Sequence, residues 1–164
     1  MKKIGAGKRA AALLMATAVL LLCGCRADIS AYGKTPILIV GLLEEDFTVT
    51  PEELVNMKCV SGIATGSSAK AGTVQGWGPT LETFVERYGH TLDEFKCVTF
   101  YASDDYHIAL GPVTWEECDV ILSVANGGKP LEAGQCPLRV VIPGADSGKW
   151  IRMVDKIQFT YLKG

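Results

Sequence analysis

Short apolar runs bounded by glycine, proline or paired acids recur along this chain, and they predict strands far more often than helices. Ile37-Leu38-Ile39-Val40 is a β run that stops at Gly41, and Phe47 to Val49 reads as a second short strand. Thr50-Pro51-Glu52-Glu53 then carries a helix start: a threonine cap, proline at the first helical position and a glutamate placed to close a capping box. That helix is expected to end near Met57. Cys59 to Ala64 predicts a strand leading into a Gly, Ser and Ala rich loop over 65–72, and Thr73 to Trp77 predicts its return. Leu81, Phe84, Val85 and Tyr88 recur at helical spacing with Gly89 as the stop.

Lys96 to Ala102 alternates as a strand, Asp104-Asp105 marks a turn, and Tyr106 to Leu110 is the expected returning strand. Thr114-Trp115-Glu116-Glu117 is read as a capped helical turn before a buried strand over Val120 to Ala125. Asn126-Gly127-Gly128-Lys129-Pro130 predicts a tight turn. Val140-Val141-Ile142, closed by Pro143-Gly144, is a further buried strand, and Ile157 to Leu162 the last. The order shows no βαβ rhythm and no repeat. The fold expected is α+β: one domain over 35–164, of many short, mostly antiparallel or mixed strands with two or three short helices.

The first residues have a different character. Lys2, Lys3, Lys8 and Arg9 precede an apolar run from Ala10 to Leu22, interrupted only by Thr17, and Leu22-Cys23-Gly24-Cys25 follows. This is the order of a secretory leader, 1–24, and its end resembles a bacterial lipobox. That makes Cys25 the expected lipidated residue, with a polar tether over 25–34 and a location on the outer face of the cell membrane. Removing the leader takes four of the 16 basic residues and none of the 18 acidic ones, which leaves a net charge of −6 and no basic block. Nucleic acid is excluded as a partner on that ground. Cys59, Cys97, Cys118 and Cys136 form no C-x-x-C pair and only two histidines exist, so a structural zinc site is not expected.

Ala145-Asp146-Ser147-Gly148-Lys149 is the loop with the clearest chemical character. Its small polar residues can turn several backbone N–H groups in one direction, Ser147 adds a hydroxyl, Lys149 adds a charge, and Trp150 returns the chain to the core. A phosphate-bearing ligand suits such a cradle, with Asp146, Ser147, Gly148, Lys149 and Trp150 as its residues. Arg139 is expected to pair with an acid or a carbonyl, and Arg152 to be an exposed strand charge. Asp104, Asp105, Tyr106 and His107 read as a polar hairpin turn.

Several of these landmarks, in this order, resemble the molybdopterin-binding domain of the sulfite-oxidase type. They are the strand ending at Gly41, the capped Thr-Pro-Glu-Glu-Leu helix, Gly76-Trp77-Gly78-Pro79-Thr80-Leu81 and Phe100-Tyr101-Ala102-Ser103-Asp104-Asp105-Tyr106. Asn126-Gly127-Gly128-Lys129-Pro130-Leu131 and the closing Pro137-Leu138-Arg139-Val140-Val141-Ile142-Pro143-Gly144 complete the set. Two positions depart from the family: Asp105 where Gly is usual, and Cys136 where Gly precedes Pro-Leu-Arg.

The resemblance implies a molybdopterin or related pterin as ligand, its phosphate held by the 146–150 loop. It also implies that Cys59, in Cys59-Val60-Ser61-Gly62, is a candidate molybdenum ligand through its thiolate. If the family strand instead matches Ile63 to Thr65, Cys59 stands off target. Three functions follow: an anchored extracytoplasmic lipoprotein binding a phosphorylated pterin, a small molybdenum oxidoreductase built on Cys59, or a cofactor-free surface module with a redox or surface protein partner. Export through an unfolded state would leave the chain without cofactor, and Lys8-Arg9 lacks the usual twin-arginine surroundings, so binding is favoured over catalysis.

Overall fold

Why this chain forms sheets rather than a helical bundle is visible in its burial pattern, which alternates along strand after strand. The computed structural model describes residues 27–66 and 72–162; the leader and Cys25 lie outside the described residues, as does most of the 65–72 loop. In β1 (Ile37–Val40), Ile37 and Ile39 are fully buried while Leu38 faces out. In β5 (Phe95–Ala102), Phe95, Val98 and Phe100 are buried.

These strands belong to a five-stranded sheet, β2 (Phe47–Val49), β1, β11 (Val154–Tyr161), β5 and β6 (His107–Leu110), in that order. The β1–β11 pair is parallel and the other three pairs are antiparallel. A second sheet of four antiparallel strands runs β3 (Cys59–Thr65), β4 (Thr73–Pro79), β8 (Ala125–Asn126), β9 (Lys129–Pro130). The remaining pair is β7 (Ile121–Ser123) with β10 (Arg139–Val141).

The helices are short. α1 (Pro51–Leu54) has the predicted capping box, with the Thr50 side chain accepting from the Glu53 N–H and the Glu53 carboxylate accepting from the Thr50 N–H at 2.7 Å. Its helical residues stop at Leu54, before the expected Met57, and turns carry the chain on to β3. α2 (Leu81–Arg87) buries Leu81, Phe84 and Val85, and the Phe84 ring stacks on Phe159 of β11 at 6.3 Å. α3 (Pro112–Glu117) starts two residues before the expected cap: Gly111 is the N-cap, Pro112 takes the first position, and Thr114 lies buried inside the helix. Fully buried side chains from all three sheets, Phe100, Leu122 and Val140 among them, join α1 and α2 in one core cluster.

Two further departures shape the site. The run Val120 to Ala125 is not one strand: at Val124 the N–H donates to the Trp77 carbonyl, and the chain switches from pairing with β10 to pairing with β4. Gly78 permits this crossing, because a Cβ there would stand 1.9 Å from the Leu122 carbonyl oxygen. The folded body also begins earlier than residue 35. Tyr32 is buried in the stretch read as a tether, donating to the Val124 carbonyl at 2.7 Å and accepting from the Leu131 N–H at 2.9 Å.

Candidate functional site

A pocket of about 630 Å³ opens where the second sheet, the β5–β6 hairpin and the segment around β10 converge. That is within the usual range for small-molecule sites. Local pairing explains who lines it. Val140 donates to the Ile151 carbonyl and Val154 to the Leu138 carbonyl, so the 138–141 and 151–154 stretches lie side by side. This brings Arg139 and Arg152 to one wall although they are far apart in sequence. Gln135 joins them, its carbonyl accepting from the Met153 N–H.

Asp104 and Tyr106 of the hairpin form a second wall, held in place by the Ser103 N–H donating to the Met153 carbonyl at 3.0 Å. The Asp104 carboxylate accepts from the Tyr106 N–H at 3.2 Å, a turn cap as expected, and Asp105 takes a positive φ of 68°. The Tyr106 hydroxyl reaches the Gly148 carbonyl at 3.4 Å, tying hairpin to loop. Thr73, Val74 and Asn126 supply the opposite side from the second sheet.

The pocket is cationic and its cations are underused. Burial, and then the charge of Arg152, pull Arg139 below the usual guanidinium range, with Glu132 opposing. Among the described residues the Arg139 Nε has no hydrogen-bond partner, and neither has the Gln135 Oε1; both atoms are buried. Among the described residues the one ion pair is His90 with Glu94, so of the acid or carbonyl partner expected for Arg139 the acid is not within ion-pair distance. Arg152, read as a plain strand charge, is exposed but faces this cavity. Two guanidinium groups without carboxylate partners, beside the Ser147 hydroxyl, suit a divalent oxyanion.

The predicted cradle contributes only in part. Ser147 and Trp150 line the pocket. Asp146 instead caps its own turn, accepting from the Gly148 N–H at 2.7 Å, so that N–H is already spent. Lys149 turns to α3, where its Nζ donates to the Thr114 hydroxyl at 3.4 Å. The loop therefore forms a rim of the cavity, and the cavity's positive charge comes from the two arginines.

Cys59 stands at the other end of the second sheet from this cavity. It pairs with Pro79, while the cavity touches Thr73, at the far end of the same β3–β4 ladder. Six residues of strand separate the two ends, roughly 20 Å. The Cys59 thiol points to the Leu54 and Val55 carbonyls at 3.8 and 4.0 Å. Position 65, across from Thr73, holds a threonine. Cys136 is nearest the cavity in sequence, but its thiol donates to the Glu132 carbonyl at 3.3 Å and burial raises its pKa. No group of three or more His, Cys, Asp or Glu able to hold a metal occurs among the described residues. The donor set fits the organic, phosphorylated part of a pterin cofactor and supplies no thiolate for a metal beside it.

No helix among the described residues is long and apolar enough to cross a membrane. A family model described as oxidoreductase molybdopterin binding domain matches residues 37–163. Among solved structures the chain is similar to the sulfane dehydrogenase SoxCD from Paracoccus pantotrophus, at 16% identity and a TM-score of 0.61, over 76% of this chain and 38% of that one. The chain thus spans well under half of that protein, and at this identity the likeness is one of fold. No curated protein sequence matches the chain.

Proposed function

Since the chain belongs to the oxidoreductase molybdopterin binding domain family, we propose that it is an exported, lipid-anchored protein that binds a phosphorylated pterin at the Arg139–Arg152 cavity. The observation that carries this reading is that Arg139 and Arg152 line one cavity with, among the described residues, no carboxylate within ion-pair distance of either. A guanidinium held in that way costs stability, and an oxyanion removes the cost. Ser147 would add a hydroxyl donor to the same anion. Trp150 would hold the floor, since its indole N–H is already engaged by the Ile142 carbonyl at 3.2 Å.

Binding rather than turnover is favoured because the one cysteine proposed as a metal ligand lies at the opposite end of β3. A cofactor-free surface module would leave the arginine pair without a purpose. When a molybdopterin is bound in this family the metal supplies the redox chemistry; here the chain's own residues bind and orient the organic part. Anchoring through Cys25 follows from the leader and its Leu22-Cys23-Gly24-Cys25 ending.

The test is analysis of the full chain, exported by its own host. On denaturation and oxidation it is expected to release a fluorescent pterin and organic phosphate in step with protein, with a lipid mass on Cys25. Protein carrying neither pterin nor organic phosphate would overturn the ligand, and an unmodified Cys25 the anchor.

A further inference from the structure

The second sheet has two free edges among the described residues, and they are built differently. β9 is only Lys129–Pro130, so it carries a charge and a proline, the usual guards of an exposed edge. β3 is seven residues long, Cys59-Val60-Ser61-Gly62-Ile63-Ala64-Thr65, with neither charge nor proline. Its ladder to β4 runs unbroken from Cys59–Pro79 to Thr65–Thr73, so no bulge twists it away. The free edges of the five-stranded sheet, β2 and β6, are three and four residues long. β3 is the longest of these edges and the least guarded.

The ladder also fixes which backbone groups of β3 are unused. The Gly66 N–H donates to the Gly72 carbonyl at 2.8 Å, in the same register. Bonded pairs alternate along an antiparallel ladder, so Val60, Gly62 and Ala64 turn their N–H and C=O groups toward β4. Their neighbours agree: Gln75 and Trp77, opposite Ile63 and Ser61, spend their own backbone groups on the 123–127 stretch. Ser61, Ile63 and Thr65 therefore turn theirs outward, and no hydrogen bond among the described residues takes them up. All three are exposed, and Ile63, at 62%, leaves a β-branched apolar side chain in the middle of the row.

We propose that β3 is where two copies of this chain meet, paired antiparallel about a twofold axis at Ile63. Ser61 of each copy then faces Thr65 of the other, and Ile63 faces its own counterpart. Each of these pairs exchanges two N–H···O bonds, and the two four-stranded sheets become one. Charge favours a second copy over other occupants. β3, β4 and β8 hold no Asp, Glu, Lys or Arg, in a chain whose net charge past the leader is −6. Two such copies repel over much of their surface, and this uncharged sheet lets them approach without opposing like charges.

Sedimentation of the full exported chain, in reducing buffer with detergent, tests this. A monomer–dimer equilibrium is expected, with a midpoint on the order of 10 μM, weak because a short ladder buries little surface. Ile63→Lys sets two like charges across the axis and is expected to raise that midpoint at least about tenfold, with the urea midpoint of the monomer unchanged. Ser61→Pro removes an N–H that the β3–β4 ladder does not use, and should weaken the dimer in the same direction. Oxidised Ile63→Cys is expected to cross-link position 63 to itself, mapped by mass spectrometry, since Cα atoms in such a pair lie about 5.5 Å apart. A chain that stays monomeric throughout, a dimer unmoved by Ile63→Lys and Ser61→Pro, or an Ile63→Cys dimer that does not cross-link at 63 would overturn the inference. So would a different protein that accompanies the exported chain and is lost with Ile63→Lys, because the edge would then serve another occupant.

Discussion

Lys149 donates to the Thr114 hydroxyl at 3.4 Å, so the only cation of the 145–149 turn is directed at α3 and away from the cavity. Lys149→Ala is therefore expected to leave phosphate-ester affinity within about twofold of wild type, an exposed lysine contributing little at this distance. Arg152→Ala, by contrast, should weaken it by about tenfold. Titration of the two variants side by side separates a cradle built on the turn from one built on the arginines.

Tyr32 bears on where the folded body starts. Its hydroxyl serves two backbone groups, Val124 O and Leu131 N–H, at the point where the chain changes sheets. Tyr32→Phe leaves both without that partner and should cost about 1–3 kcal/mol, read from urea unfolding. Truncation to residue 35 should cost more. A truncated chain as stable as the full one would restore the tether reading for 25–34.

Gly78 sits against the Leu122 carbonyl with no room for a methyl group. Gly78→Ala is expected to lower stability by about 3 kcal/mol, because β4 and β7 must separate to accept it. Gly128→Ala is a control for the strain of positive φ alone, since nothing lies near its Cβ position.

Glu94 carries a pH dependence. Its hydrogen bond with His90, and then the Thr91 N–H, hold its carboxyl below the usual glutamate range. A depressed carboxylate stabilises the fold above the unfolded-state pKa, and that contribution is lost as pH falls through the folded-state value. Glu94→Gln should thus flatten the fall in urea midpoint below about pH 4.5 and change little at neutral pH. Parallel acid profiles for the two proteins would contradict this.

Much of the fold was legible because its signals are local. The Thr50 capping box and the Asn126–Pro130 hairpin need only their own neighbours to form, and both appear where expected, the latter with Gly127 and Gly128 at positive φ. The fold class and the family resemblance hold for the same reason, since they rest on the order of such local marks. The splitting of Val120 to Ala125 was hidden, because it depends on the Trp77 carbonyl of another strand. The cavity's arginine wall was hidden on similar grounds. Ser147 and Trp150, singled out from the loop, do line the cavity, whereas Arg139 and Arg152 converge only once the 138–141 and 151–154 stretches pair. Cys59 looked suitable from its neighbours, and the ladder register sets it at the far end of the sheet.

Arg139 gives the account its sharpest consequence. Burial and Arg152 disfavour its charged form, and arginine stays protonated throughout the accessible range, so the penalty persists at neutral pH. Calorimetric titration of ribose 5-phosphate into wild type and Arg139→Met, with melting temperatures taken on the same samples, tests this directly. The account predicts saturable, salt-sensitive binding to the wild-type chain and a loss of about thirtyfold or more in the variant. It also predicts that the ligand-free variant melts higher, by on the order of 4 °C. A variant that binds as well as wild type, or that is less stable without binding less, would contradict it.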